Sequence, residues 1–348
     1  MTRQTWTAFV SALFFVALAA LMVVIPVPFV TWNPGSAQDT LGSLGNQPVI
    51  TVHGVPTYLT TGRLDLTTVS VSRAHSHVTL PEVVLAYWLP HRDALPRDAV
   101  YAPGKSAEEV EREEADLMET AQDVAVVAAL RAAGRPVAPH PAVASVTVSG
   151  PSHNKLLPGD LVLEVDGVKV SRNDQVEDQI QAHKTGDPVR FTVLRGRSTT
   201  TVVVRTVASA TDADLPAAGI TVGPGYHYDA DISFDLGQRI GGPSAGLIFA
   251  TAIYDKITPG PLLEGAHIAG SGTITANGDV GPIGGIQEKI AAADDAGATA
   301  FLVPAANCSN LGNVRTDMTL IKVSTLREGI DALTTLHQPD GAERVPHC

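Results

Sequence analysis

The 348-residue sequence predicts an α+β fold in two folded regions behind one N-terminal apolar helix. Three observations predict it. An almost wholly apolar run, Phe9 to Val30, opens the chain. A small β-rich module follows a proline cluster at Pro136, Pro139 and Pro141. From Gly219 onward, strand-like and helix-like segments alternate. A hydrophobic content of 44% is enough for two cores. The net charge of −12, with no long basic run, argues against nucleic acid as the main partner.

The apolar run has Ser11 as its one polar side chain, and its 22 residues match a bilayer-spanning helix. Trp6 and Trp32 flank it, where interfacial aromatics belong. The run is long for a cleaved signal, and no clear small-x-small site follows. A retained anchor over 9–31 is the expectation. Arg3 alone precedes the run as a strong charge, and the next charge is Asp39. The bias puts the N-terminus inside and the body on the extracytoplasmic side of the cell membrane, as a single-pass protein. Asn33 to Gln47, rich in Pro, Gly and Ser, reads as a linker.

Residues 48–135 carry strands at Val49–Val52 and Leu64–Val71, then a helix. Ser106 opens that helix, and Glu109 completes a capping box. Leu117, Ala121, Val124, Ala125 and Ala128 form its apolar stripe, and Gly134 stops it.

Residues 137–210 form the β-rich module. Its clearest segment runs from Leu157 to Gly167, with Gly159-Asp160 and Asp166-Gly167 turns around a buried strand. A helix is expected within Ser171–His183, and strands over Val189–Leu194 and Thr201–Val204. This segment resembles the core of bacterial PDZ domains. The resemblance implies an extended or C-terminal peptide bound by strand addition.

Residues 215–340 hold the chemistry. Strands are expected at Asp231–Phe234, Ile268–Thr275, Ala300–Val303 and Leu320–Val323. Helices are expected at Ser244–Tyr254, Ile286–Ala296 and Leu326–Leu336. In Gly241-Gly-Pro-Ser-Ala-Gly246, Pro243 suits the first helical position. Ser244 then falls in the first turn, where free N–H groups suit a developing oxyanion. Gly242 and its small neighbours leave room for a substrate backbone. A serine that merely starts a helix fits the same residues.

In Gly281-Pro-Ile-Gly-Gly-Ile-Gln-Glu-Lys289, Lys289 shares a helix face with the apolar Ile286, Ile290 and Ala293. Gln287, Glu288, Asp294 and Asp295 take the wet face. Burial and the helix dipole both lower the pKa of such a lysine. A neutral amine can take a proton from a serine hydroxyl. A lysine that snorkels to solvent fits the same position.

Together the two segments, with serine and lysine 45 residues apart, resemble the proteolytic domain of Lon proteases. The resemblance implies Ser244 as nucleophile and Lys289 as general base. Gly270-Ser-Gly-Thr-Ile-Thr275 resembles the stretch before the lysine motif, and Ser271 takes the place of a threonine that helps position the pair. The family's acidic residue three positions before the serine is here Gly241. The resemblance also implies that residues 48–135 complete the protease fold, with the PDZ module set into it. It implies ring-like assembly of identical copies as well.

The near match to a phosphate-binding loop, Gly104-Lys-Ser106, has Ala99 where the first glycine belongs, so ATP-independent cleavage of accessible or unfolded polypeptides is expected. No cofactor is implied. Gly242-Pro-Ser-Ala-Gly246 also matches a hydrolase nucleophile elbow, but Asp235–Gly242 separates it from a strand, and His267, His337 and His347 have no supporting context. His75 and His77 alternate on a probable strand without a third ligand, so no metal is expected. Cys308 and Cys348 leave a disulfide and two free thiols both open. The rival reading from another class is a catalytically silent membrane-tethered PDZ adaptor.

Overall fold

A computed structural model describes residues 3–73, 76–101, 104–237 and 240–348. The fold is α+β, and the chain divides into two compact units. One is discontinuous, Met1–Gly134 with Ala230–Cys348; the other, Arg135–Asp229, interrupts it in sequence.

The first unit begins with helix α1, Arg3–Val24, with no residue of its apolar stretch Arg3–Val23 buried. The helix stops short of the expected 9–31 span. Pro26 and Pro28 cannot continue a helical ladder. The chain turns into strand β1, Phe29–Asp39, with Val30 fully buried. The sheet therefore starts upstream of residue 48, and much of the expected linker is strand. Next come β2 (Ile50–His53), β3 (Arg63–Val71), helix α2 (Leu80–Trp88), β4 (Asp93–Pro96) and helix α3 (Ala107–Ala132).

Helix α3 has the expected capping box. Ser106 accepts from Glu109 N–H, and the Glu109 carboxylate accepts from Ser106 N–H at 2.7 Å. Its buried face is Met118, Ala121 and Ala125–Leu130, whereas Leu117 is exposed. Gly134 leaves the helix at a φ of 68°, a conformation that favours glycine.

The second unit holds β5 (Ala138–Val146), β6 (Leu161–Val165), helix α4 (Asn173–Gln181), β7 (Pro188–Arg195), β8 (Ser198–Arg205) and β9 (Ile220–His227). Its strand order is β8-β7-β6-β5-β9, so β9 is an edge. Val162, Val165, Val176, Phe191, Val193 and Val204 form a closed core. The expected module, 137–210, falls short by β9, which pairs antiparallel with β5 along its whole length.

The chain re-enters the first unit at β10 (Asp231–Phe234). It continues through helix α5 (Gly246–Ile257), β11 (His267–Gly270), helix α6 (Ile286–Asp295), β12 (Ala300–Pro304), β13 (Thr319–Val323) and helix α7 (Leu326–Leu336). The main sheet runs β13-β12-β11-β3-β1-β4. β13, β12, β11 and β3 run parallel to one another; β1 is antiparallel to both β3 and β4. The central pairing joins Arg63–Leu66 to His267–Gly270. Beyond residue 340, Val345 is buried, His347 bridges Ile321, and Cys348 is disulfide-bonded to Cys308.

The strand expected at Ile268–Thr275 breaks after Gly270. Ser271 and Gly272 leave the ladder to bond the backbone around Ser244, and Thr273–Ile274 forms a separate small ribbon with Val280–Gly281.

Candidate active site

Ser244 lies in a single 3-10 turn, Pro243–Ala245, that leads directly into α5. The expected helix thus begins with a tighter turn. Proline holds the φ a first helical residue needs and has no N–H to leave unpaired. Gly242 precedes it at a φ of 83°, where a side chain would be strained. Helix α5 is buried on all sides from Gly246 to Ile253, which anchors the turn in the core. Gly272 N–H donates to the Ser244 carbonyl at 2.8 Å, and Leu247 N–H donates to the Gly272 carbonyl at 3.0 Å.

Lys289 lies in the first turn of α6. Ile286, Ile290 and Ala293 of this helix pack on Phe301 and Val303, and Lys289 faces inward beside them, 4% exposed. Its Nζ lies 2.8 Å from Ser244 Oγ and 3.0 Å from Ser271 Oγ. Ser271 Oγ in turn donates to the Ser244 carbonyl at 2.9 Å. Burial lowers the Lys289 pKa to about 7; the adjacent Glu288 opposes that drop.

Glu288 departs from expectation. It is 1% exposed, in a helix that packs on β1 and β3. Burial raises its pKa, and Asp93 on β4 pushes the same way. Asp294 and Asp295 are exposed as expected.

The loop before α6 leaves no spare room. A Cβ on Gly285, whose φ is 65°, would fall 2.4 Å from Val69 Cγ2. A Cβ on Gly284 would meet the Trp32 ring at 2.9 Å. Asn307 accepts from Ile283 N–H and donates to the Ile283 carbonyl, both at 2.9 Å, so one buried amide brackets the loop.

An open cleft of about 1790 Å³ leads to the pair, lined by the far half of β3, by α3, and by the stretch from Ile240 to Ala245. Glu114 of α3 stands at Gly241. A Cβ at residue 241 would lie 2.8 Å from its Oε2, and its backbone carbonyl accepts from Gly242 N–H. The expected departure at Gly241 is thus accompanied by a carboxylate from another element. Burial raises its pKa, as do Glu111 and Glu113.

His267 Nε2 donates to the Asp65 carboxylate, 2.8 Å away, and Arg63 holds the other oxygen of that carboxylate. His267 opens β11, four residues before Ser271, or about 13 Å along a strand. His347 bonds the Ala342 carbonyl. His75 lies outside the described residues. His77 follows the end of β3, and no group of three metal-binding side chains occurs among the described residues.

Glu114 and Asn307 were not singled out by the sequence. Glu114 sits 130 residues before Ser244 with no local motif around it. Asn307 had one faint signal, its place beside Cys308.

Residues 238–335 match the family model of the Lon protease (S16) C-terminal proteolytic domain. Residues 118–206 match the PDZ domain model, starting inside α3 and stopping before β9. A Lon protease of Heliobacterium modesticaldum is 30% identical over 150 residues, 40% of this chain and 18% of that protein. Lon protease 2 of Bacillus subtilis is 36% identical over 106 residues, 30% of this chain and 19% of that one. A Lon protease of Rhizobium meliloti is 40% identical over 103 residues, 28% and 12% respectively. The chain thus spans less than a fifth of the length of these relatives. The PDZ domain of the SdrC-like protein from Listeria monocytogenes is 26% identical, covers 24% of this chain and 86% of its own, and has a TM-score of 0.22.

Proposed function

We propose that this chain, which carries a Lon-type proteolytic domain and a PDZ domain, is a membrane-anchored serine endopeptidase working through Ser244 and Lys289. The observation that carries the reading is the 2.8 Å separation of Lys289 Nζ and Ser244 Oγ, with the lysine buried and its pKa lowered to about 7. A neutral Lys289 takes the Ser244 proton as Oγ attacks the peptide carbonyl carbon. The carbonyl oxygen becomes an oxyanion beside the backbone N–H groups of the turn that carries Ser244. The C–N bond then breaks, and the protonated lysine gives its proton to the departing amine. Water hydrolyses the ester on Ser244 by the same route in reverse. Ser271 holds Lys289 in register, and Gly242 keeps the approach open.

In this reading residues 48–135 belong to the protease fold. Supporting it, β3 pairs with β11, Arg131 donates to the Ala276 carbonyl, and Arg327 donates to the Ala132 carbonyl. The PDZ unit recruits an extended or C-terminal peptide at the open edge of β9, beside α4. Substrates are accessible or unfolded polypeptides, cleaved without ATP. Helix α1 spans the cell membrane once and the body lies on the extracytoplasmic side; the Cys308–Cys348 disulfide suits an oxidising compartment.

The test uses Ser244→Ala and Lys289→Ala in the full chain. Both should lose cleavage of a casein-like substrate while staying folded, as read by far-UV circular dichroism. Cleavage at the wild-type rate by either variant overturns the dyad. An adaptor would keep its whole function in both.

A further inference from the structure

We propose that helix α2 lies in the lipid headgroup region and forms a second contact with the membrane, beside the end of α1. The proposal rests on α1 being an anchor, as read above. Helix α2, Leu80–Trp88, is capped at Thr79, whose N–H donates to the Glu82 carboxylate at 2.9 Å. One face is used internally: Ala86 is buried and Val83 half-buried. The other face carries Leu80, Val84, Tyr87 and Trp88, spaced i, i+4, i+7 and i+8, and all are exposed. Tyr87 and Trp88 are 82% and 77% exposed. Glu82 is the one charged residue of the helix and lies on the opposite side from that stripe.

The backbone says where this face sits. Val27 N–H donates to the Val78 carbonyl at 2.8 Å, and Pro26 forms a bridge with Thr79. Helix α2 thus starts against the chain two residues after α1 ends. Helix α1 has 22 residues, about 33 Å of length, close to the thickness of a hydrocarbon core. A bilayer that takes up α1 ends where α2 begins. Tyr and Trp rings carry apolar bodies with one polar atom, which suits that level. An apolar stripe with its charge turned away lies along such a surface.

The experiment places the full chain in phosphatidylcholine–phosphatidylglycerol vesicles whose lipids are brominated near the headgroup. Trp6→Phe leaves Trp32 and Trp88 as the two emitters. Trp32 is packed on Gly284 and Gly285. Brominated lipid should lower the emission of Trp6→Phe about twofold, and that of Trp6→Phe/Trp88→Phe hardly at all. Equal quenching in both variants overturns the proposal. Flotation after an alkaline wash separates the two premises. A chain that washes off the vesicles overturns anchor and docking together; a chain that stays bound with Trp88 unquenched overturns the docking alone. If Trp88→Asp instead splits an oligomer in detergent while lipid leaves Trp88 unquenched, the face belongs to a second copy and the proposal fails.

Discussion

Ser271 Oγ donates its single proton to the Ser244 carbonyl, and so faces Lys289 Nζ, 3.0 Å away, as an acceptor. One amine N–H is thereby directed at Ser271, and the lone pair of neutral Lys289 is left for Ser244. Ser271→Ala removes that orientation. It should lower kcat about 10- to 100-fold with little change in KM, as expected for a group acting on the proton transfer. Ser271→Thr keeps the hydroxyl and should restore most of the rate. Steady-state kinetics on one peptide decides it; an unchanged kcat in Ser271→Ala removes the residue from the mechanism.

The pH dependence follows from Lys289. Its amine is neutral above a pKa of about 7, so kcat/KM should rise through neutral pH and level off above it. Stability moves in the same direction. The folded pKa is depressed from 10.5 to about 7, so the unfolded chain holds the extra proton between those limits. The native state therefore gains stability as pH climbs from 7 toward 10.5, and below 7 the buried charge costs its full amount. Lys289→Met should be more stable than the wild type at pH 6, by up to roughly 4 kcal/mol, with the gap closing toward pH 10. A gap independent of pH contradicts a depressed lysine.

Much of this site is legible in sequence because its parts are local. Pro243 and the glycines around Ser244 announce a helix start, and Ile286, Ile290 and Ala293 set the register that turns Lys289 inward. The capping pair Ser106 and Glu109 locates α3. Contacts across the chain are not legible in this way. Glu114 meets Gly241 only through tertiary packing, and Glu288 is buried in a helix that packs on β1 and β3. β1 is hidden because Phe29 and Val30 extend an apolar run that the prolines at 26 and 28 divide. β9 is hidden because Gly223, Pro224 and Gly225 read as a loop, while its pairing with β5 makes it a strand.

The second unit should be removable. Ala138 lies opposite His227, so the chain enters and leaves this unit on adjacent strand ends about 5 Å apart. Replacing residues 135–229 by a short Gly-Ser linker should leave the first unit folded, with Ser244-dependent cleavage of a short peptide retained. Cleavage of a protein substrate should fall if the PDZ unit recruits it. A collapsed far-UV spectrum in the excised chain would speak against residues 48–135 completing the protease fold.

Asn307 and the disulfide next to it form a brace for the base. The amide holds both backbone groups of Ile283, two residues before Gly285, and α6 begins one residue later. Cys308 ties the same turn to Cys348 across a separation of 40 residues. Asn307→Ala leaves the N–H and C=O of half-buried Ile283 without their partner, a cost of about 1 kcal/mol for each group. It should lower both the melting temperature and kcat, because the loop that sets Lys289 loses its register. Cys348→Ser should cost about 2–4 kcal/mol of stability through loop entropy in the unfolded chain. That substitution leaves the Ile283 bonds intact, so its kcat at 25 °C should stay near the wild-type value. If Cys348→Ser lowers kcat as much as Asn307→Ala does, the disulfide and not the amide sets the position of the lysine.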